Sequence, residues 1–143
     1  MVIQDNNFKE NAAEIFQKAP FIREIGLQLV DCGPGWCETV LRLEPWLLQQ
    51  NGVAHAGILA TMADHTAGAA GTTIISQDEY VLTAEFKINL LRPGDGDSLR
   101  CRAQVLKPGR VLTIVESEVH AEKGGASILV AKAMVTLVVL RKP

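Results

Sequence analysis

The sequence predicts an α+β domain in which one long helix lies across a six-stranded antiparallel sheet. Three features carry that reading. Residues 54–75 keep a 3.6-residue apolar rhythm, the chain alternates apolar and polar from residue 81 onward, and turn clusters separate the alternating runs. The 143 residues, 48% of them hydrophobic, make one domain spanning 1–143. A chain of that length buries a core without a disulfide framework or a structural metal.

The N-terminal segment, residues 1–20, reads as a short helix. Asn6 or Asn7 caps it, it runs to about Lys18, and Pro20 stops it. Phe8, Ala12, Ile15, Phe16 and Ala19 give it one apolar stripe. Residues 25–31 and 37–43 form a hairpin around the Gly33-Pro34-Gly35 turn, and Glu44-Pro45 ends its second strand. The central helix, 54–75, is rich in alanine and nearly free of charge, which marks it as buried; Gly57, Gly68 and Gly71 allow close approach of its neighbours.

In 81–90 the apolar set is Leu82, Ala84, Phe86, Ile88 and Leu90, with Thr83, Glu85, Lys87 and Asn89 on the other face. Turns at 92–97, 107–110 and 122–125 then separate three further strands. In the last of them Leu129, Ala131, Ala133, Val135, Leu137 and Val139 form one apolar face. Four strands in succession predict a meander. A six-stranded sheet has two free edges, so dimerisation by edge pairing is expected.

Charge excludes several function classes. Lys plus Arg number 14 and Asp plus Glu 16, a net charge of -2 that argues against nucleic-acid binding. No apolar run approaches the ~20 residues of a membrane span. The Met1-Val2-Ile3-Gln4-Asp5 start lacks the basic and apolar regions of a secretory signal. Together with an odd cysteine count (Cys32, Cys37, Cys101), this makes a cytoplasmic location the expectation. The irregular spacing of those cysteines and His120 does not form a metal-ligand pattern.

The total conceals an asymmetry. Residues 1–86 sum to -7 and residues 87–143 to +5, and from Pro45 to Gln77 the only formally charged residue is Asp64. A lone carboxylate in an apolar stretch must be satisfied, neutralised or employed. Upstream of it, Gln49, a Gly52-containing loop and His55 lead into the central helix. Free N–H groups near Ala56 and Gly57 there would suit an oxyanion developing on a carbonyl. Asp64 follows His55 by nine residues, about 2.5 turns, so the two sit on roughly opposite sides of the helix. A direct dyad within one chain is therefore not expected, while a two-fold dimer could bring one chain's Asp64 to the other's helix start.

The pattern Gln49-x-x-Gly52-x-x-His55-x-Gly57, with a carboxylate nine residues after the histidine, resembles the hotdog-fold acyl-CoA thioesterases. The phenylacetate-degradation (PaaI-type) branch is the nearest match, and the resemblance runs through Thr83–Pro93 and Lys107–Arg110 to the last strand. It implies a long central helix wrapped by the six-stranded sheet and a homodimer or homotetramer. It also implies hydrolysis of an acyl-CoA to free acid and CoA, with no cofactor beyond the CoA of the substrate.

By the same resemblance Asp64 is general base or nucleophile, Gln49 approaches the thioester or the water, and His55 orients the loop and helps hold the thioester. Ala56 supplies the N–H that polarises the carbonyl and Thr83 positions water. Asp64 and Thr83 would come from one chain, and Gln49, His55 and Ala56 from the other. The family's His-Gly-Gly is His55-Ala56-Gly57 here, which keeps the N–H provided φ at Ala56 stays negative. Arg92, Lys107 and Arg110 lie in turns where they could meet the CoA phosphates. A non-catalytic acyl-CoA-binding module and a hydratase or dehydratase are the competing readings. His65 reads as a satisfied buried histidine and His120 as an exposed one.

Overall fold

The computed structural model describes residues 7–143, so the Asn6 cap falls outside the described residues. Helix α1, Phe8–Gln17, begins where the Asn11 N–H reaches the Asn7 carbonyl at 3.0 Å. It buries Ala12 and Phe16. Pro20 does more than stop it. A proline suits the first turn of a helix because it needs no N–H there, and Pro20 opens a second helix, α2, Pro20–Ile25. Gly26, at φ 83°, closes α2 in the left-handed conformation.

Strands β1 (Gln28–Gly33) and β2 (Trp36–Arg42) pair antiparallel about Pro34 and Gly35, a tighter turn than expected because Cys32 and Gly33 still belong to the strand. Gly35 has φ 77°, which favours glycine. After a single 3-10 turn at Pro45–Leu47, the chain enters the central helix α3, Ala56–Thr72. It is shorter than the expected 54–75 at both ends. Ala54 bridges Leu48 in extended conformation and donates its N–H to the Gly94 carbonyl at 2.9 Å. At the other end the Thr73 hydroxyl donates to the Ala70 carbonyl and accepts the Gly35 N–H, tying the helix end to the β1–β2 turn.

Strands β3 (Glu79–Leu90), β4 (Ser98–Lys107), β5 (Leu112–Lys123) and β6 (Ala126–Arg141) complete a sheet in the order β1-β2-β4-β5-β6-β3. The meander expectation fails at β3, which pairs with β6 at one edge while β4 returns to pair with β2. The 91–97 segment makes that return across the strand ends. Leu91 N–H bonds Val130 of β6, Asp97 N–H bonds Glu122 of β5, and the Asp97 carbonyl accepts from Leu43. Turn-rich composition cannot distinguish such a crossing from a hairpin.

Helix α3 packs on β2 to β6 and buries Leu59, Met62, Ala63, Thr66, Ala67, Ala69 and Ala70. Two of its buried polar contacts tie it to the sheet. Thr66 and Thr39 share a hydroxyl bond of 2.7 Å, and Ser117 donates to the Ala63 carbonyl at 2.8 Å. The opposite sheet face holds three basic side chains of the second half in ion pairs or ring stacking. Arg100 meets Glu122 and Glu38, Lys132 meets Glu116 and Glu118, and Arg102 stacks over Trp36 at 4.4 Å.

Two bulges change which side chains face α3. In β3 the register slips between Thr83 and Glu85. The period-2 reading put Thr83 opposite Phe86, Ile88 and Leu90. The bulge at Ala84 puts all four on the helix side, opposite Leu137, Val135, Ala133 and Ala131, and sends Leu82 to the other face. In β6 a bulge opposite Val119–His120 pairs Leu129 with His120, removing Leu129 from the apolar face that otherwise runs from Ala131 to Val139.

Two glycines of α3 give opposite stability predictions. A Cβ on Gly71 would sit 2.4 Å from Leu137 Cδ1, inside a filled core, whereas a Cβ on Gly68 meets nothing within 4 Å. Gly71→Ala is expected to lower unfolding stability by about 1–3 kcal/mol through overpacking. Gly68→Ala should raise it by up to ~1 kcal/mol through helix propensity. Urea denaturation of the two variants checks the pair.

Candidate active site

The first half of the site is built on the middle of α3. Asp64 is half-buried, and the Thr83 hydroxyl donates to its Oδ1 at 2.6 Å. The β3 bulge is what turns that hydroxyl toward the helix. Neither Thr61 nor Thr66 satisfies the carboxylate, because both hydroxyls donate back to α3 carbonyls, those of Gly57 and Met62. Burial pushes the Asp64 carboxyl above its ordinary value, and the Thr83 bond pulls it part of the way back. Its second oxygen has no protein partner among the described residues.

The second half is the start of α3. His55 is the N-cap, in extended conformation at φ -61° and ψ 139°, and its Nδ1 accepts the Gly57 N–H at 2.9 Å. That bond fixes the tautomer. Nδ1 is the acceptor, so the ring proton lies on Nε2, on the exposed side of the ring. It also consumes the Gly57 N–H as an oxyanion donor and leaves the Ala56 N–H without a protein partner among the described residues. A Cβ at Gly57 would lie 3.0 Å from His55 Nδ1, so glycine there preserves the cap. Among the described residues no non-glycine residue has positive φ, so Ala56 keeps the helical conformation in which its N–H points out of the helix start. No acidic residue stands in the first turn to neutralise the positive end of the helix dipole.

Gln49 completes this half. The Asn51 N–H donates to its Oε1, which leaves the side-chain NH2 free to donate outward. Gln49, His55, Ala56 and Arg92 line one open cleft of about 500 Å³, with Leu90 and Leu91 along its wall. Arg92 is held there by a bond from Nη1 to the Leu129 carbonyl at 2.8 Å. Beyond His55 a second depression is walled by Phe21 and Trp46, 53% and 60% exposed. Sequence reasoning passed over both aromatics; the available signal was Trp46 next to Pro45 in the charge-poor stretch.

The two halves do not meet within one chain. Asp64 lies about 13 Å along the helix axis from His55. Lys107 and Arg110 stand at the β4–β5 turn, at the other end of the sheet from Ala56, and join neither half. His65 differs in part from expectation. Its imidazole bonds the Ile15 carbonyl and meets Phe16 edge-on at 4.7 Å, but Nε2 is buried without a partner, and burial lowers the ring pKa to about 4. His120 is only partly exposed, on the outer sheet face beside Arg100, away from the buried free thiols Cys32, Cys37 and Cys101.

Comparison with known proteins identifies the family and the fold. The thioesterase superfamily profile matches residues 51–128, a segment containing His55, Ala56, Asp64 and Thr83. Among solved structures, a thioesterase family protein from Silicibacter pomeroyi is 32% identical, with a TM-score of 0.92 over 94% of this chain and 99% of that one. The E. coli PaaI protein from the phenylacetic acid degradation operon shares the fold at TM-score 0.81 and 19% identity, over 99% of this chain and 97% of that one. In sequence, the E. coli medium/long-chain acyl-CoA thioesterase YigI is 24% identical over 84% of this chain and 85% of its own. A long helix packed on a six-stranded antiparallel sheet is the hotdog fold. With the profile covering more than half of the sequence and both halves of the candidate site represented in it, the chain belongs to the thioesterase superfamily.

Proposed function

We propose that the protein is an acyl-CoA thioesterase that works as a homodimer, each site joining Asp64 and Thr83 of one protomer to Gln49, His55 and Ala56 of the other. The observation that carries this is the separation just described. A half-buried, basic carboxylate and a set of unspent donors stand about 13 Å apart on one helix, and each lacks what the other has. Strand β3 is the means of joining them. It is a 12-residue edge strand, and Leu82, Phe86 and Leu90 on it are 54%, 40% and 52% exposed. Such an edge calls for a partner, and antiparallel pairing with its own copy sets the start of one β3 beside the end of the other.

In the joined site the thioester carbonyl oxygen accepts from the Ala56 N–H and His55 Nε2–H. Asp64 takes a proton from a water held by Thr83, and the hydroxide adds to the carbonyl carbon. The tetrahedral oxyanion collapses, the C–S bond breaks, and the CoA thiolate recovers the proton from Asp64. The products are CoA and the free acid. The burial that raises the Asp64 pKa makes it a stronger base, which favours this route over direct attack to form a mixed anhydride. A thioester is activated already and thiolate leaves readily, so the reaction needs no metal or added cofactor. Arg92 meets the CoA phosphates at the cleft mouth, and Lys107 and Arg110 reach them only from the partner protomer. The buried, unpaired cysteines suit a reducing cytoplasm.

Thiol release from a panel of acyl-CoAs, with binding measured in parallel, tests the reaction; binding without release would instead mark a binding module. The pH profile tests the base. Asp64 acts when ionised, so kcat/KM should rise with pH through its raised pKa, an acid limb above the ordinary carboxylate range. Thr83→Val removes the one contact that lowers that pKa and should move the limb to still higher pH. An unmoved limb would assign the titration to another group.

A further inference from the structure

A separate cavity of about 360 Å³ lies between α1, the C-terminal half of α3 and the start of β3. Ile15, Ile75 and Val81 give it aliphatic walls, with His65 and Thr72 on the α3 side. Two elements lead into it from the Asp64–Thr83 pair. On β3, Thr83 and Val81 are successive residues on the helix side, the first bonded to Asp64 and the second in the cavity wall. On α3, Asp64, Gly68 and Thr72 share one face at i, i+4 and i+8, and all three lie on the partly exposed side of the helix together with Ala60, Thr61 and His65. Between Asp64 and Thr72 that face is open at Gly68, where a Cβ would meet nothing within 4 Å.

We propose that this cavity receives the acyl group of the thioester, which passes Asp64 and crosses Gly68, and that it selects unbranched aliphatic chains of medium length. This rests on the thioesterase reading for its reaction, but not for its binding. From Asp64 to Thr72 the path along the helix is about 12 Å, the reach of roughly nine to ten carbons of an extended chain. Beyond that the lining turns charged, with Glu14 and Lys18 joined at 2.5 Å and largely exposed, so longer chains gain no further apolar contact. Each methylene accommodated inside should raise kcat/KM about fourfold, on the order of a hundredfold from butanoyl- to octanoyl-CoA.

The test compares the wild-type protein with Gly68→Leu, which fills the gap. The ratio of octanoyl-CoA to acetyl-CoA kcat/KM should fall at least 50-fold, on the order of the transfer of a few methylenes. Thr72→Phe, which enters the same cavity from the next turn, should act in the same direction and covers the case of a Gly68 variant that does not fold. A ratio that stays constant in folded variants overturns the proposal. A second arm needs no hydrolysis. Sodium octanoate added to the wild-type protein should shift the amide resonances of Thr72, Ile75 and Val81, and should not do so in Gly68→Leu. Absence of those shifts in the wild type places the acyl group elsewhere even if thioesters are hydrolysed. Their presence without thiol release from any acyl-CoA would refute the reaction and leave the cavity assignment standing.

Discussion

Asp64→Asn is expected to lower kcat for thiol release by 10²- to 10⁴-fold, the range of general-base contributions, while acyl-CoA binding persists. The substitution is nearly isosteric, and the Thr83 hydroxyl can still donate to the amide oxygen where it now meets Oδ1 at 2.6 Å. Its effect on stability has the opposite sign. Burial raises the Asp64 pKa in the folded chain, so folding disfavours the ionised form. That penalty grows as pH rises from the unfolded carboxyl pKa through the folded value, and it is fully present above the folded value. The uncharged amide escapes it, so the melting temperature at neutral pH should hold or rise. A thousandfold-slower enzyme that is no less stable and still binds substrate identifies a group retained for chemistry. Near-wild-type turnover would remove Asp64 from the mechanism, and joint loss of activity and stability would make it a structural residue.

The isolation of Asp64 was visible in the sequence because a charge-free stretch of Pro45 to Gln77 leaves one carboxylate to explain. The helix that carries it was visible too, because burial on nearly all sides imposes an apolar rhythm that survives weak propensity. Its partner was harder to place. Strict alternation assigns Thr83 to the face away from α3, and only the extra residue at Ala84 reverses that assignment. A bulge is one unpaired residue stabilised by contacts distant in sequence, and nothing in the local pattern of β3 announces it. The position of β3 beyond β6 was hidden for a related reason. The 91–97 crossing is held by bonds to Val130, Glu122 and Leu43, all non-local. Helix α2 was lost to reading Pro20 as a stop, when proline ends one helix and opens another by the same missing N–H. The helix-start donors were only half legible. Their location followed from the helix boundary and the resemblance named Ala56, but the physical reason for Ala56 over Gly57 is the bond between His55 Nδ1 and the Gly57 N–H.

That choice makes Ala56→Pro an unusually clean variant. Ala56 is the first residue of α3, where proline's fixed φ is helical and its lost N–H breaks no bond within the helix. His55 before it already has ψ 139°, the extended conformation that a residue preceding proline requires. The cap from Gly57 to His55 does not use the deleted group. Loss of this one donor should reduce kcat by about 10²- to 10³-fold with the fold intact by circular dichroism. Mixing the two inactive proteins then decides where the site lies. If Asp64 of one protomer serves Ala56 of the other, a mixed dimer of Asp64→Asn and Ala56→Pro chains carries one doubly defective site and one native site. At equal concentrations, with subunits exchanged through mild denaturant and refolding, half of the dimers are mixed. About a quarter of the native activity should return, from a background near zero. Were Asp64 and Ala56 to act within a single chain, every chain in the mixture would remain defective and no activity would return. Recovery at that level would therefore locate the active site between two copies of a chain whose own Asp64 and His55 lie about 13 Å apart along one helix.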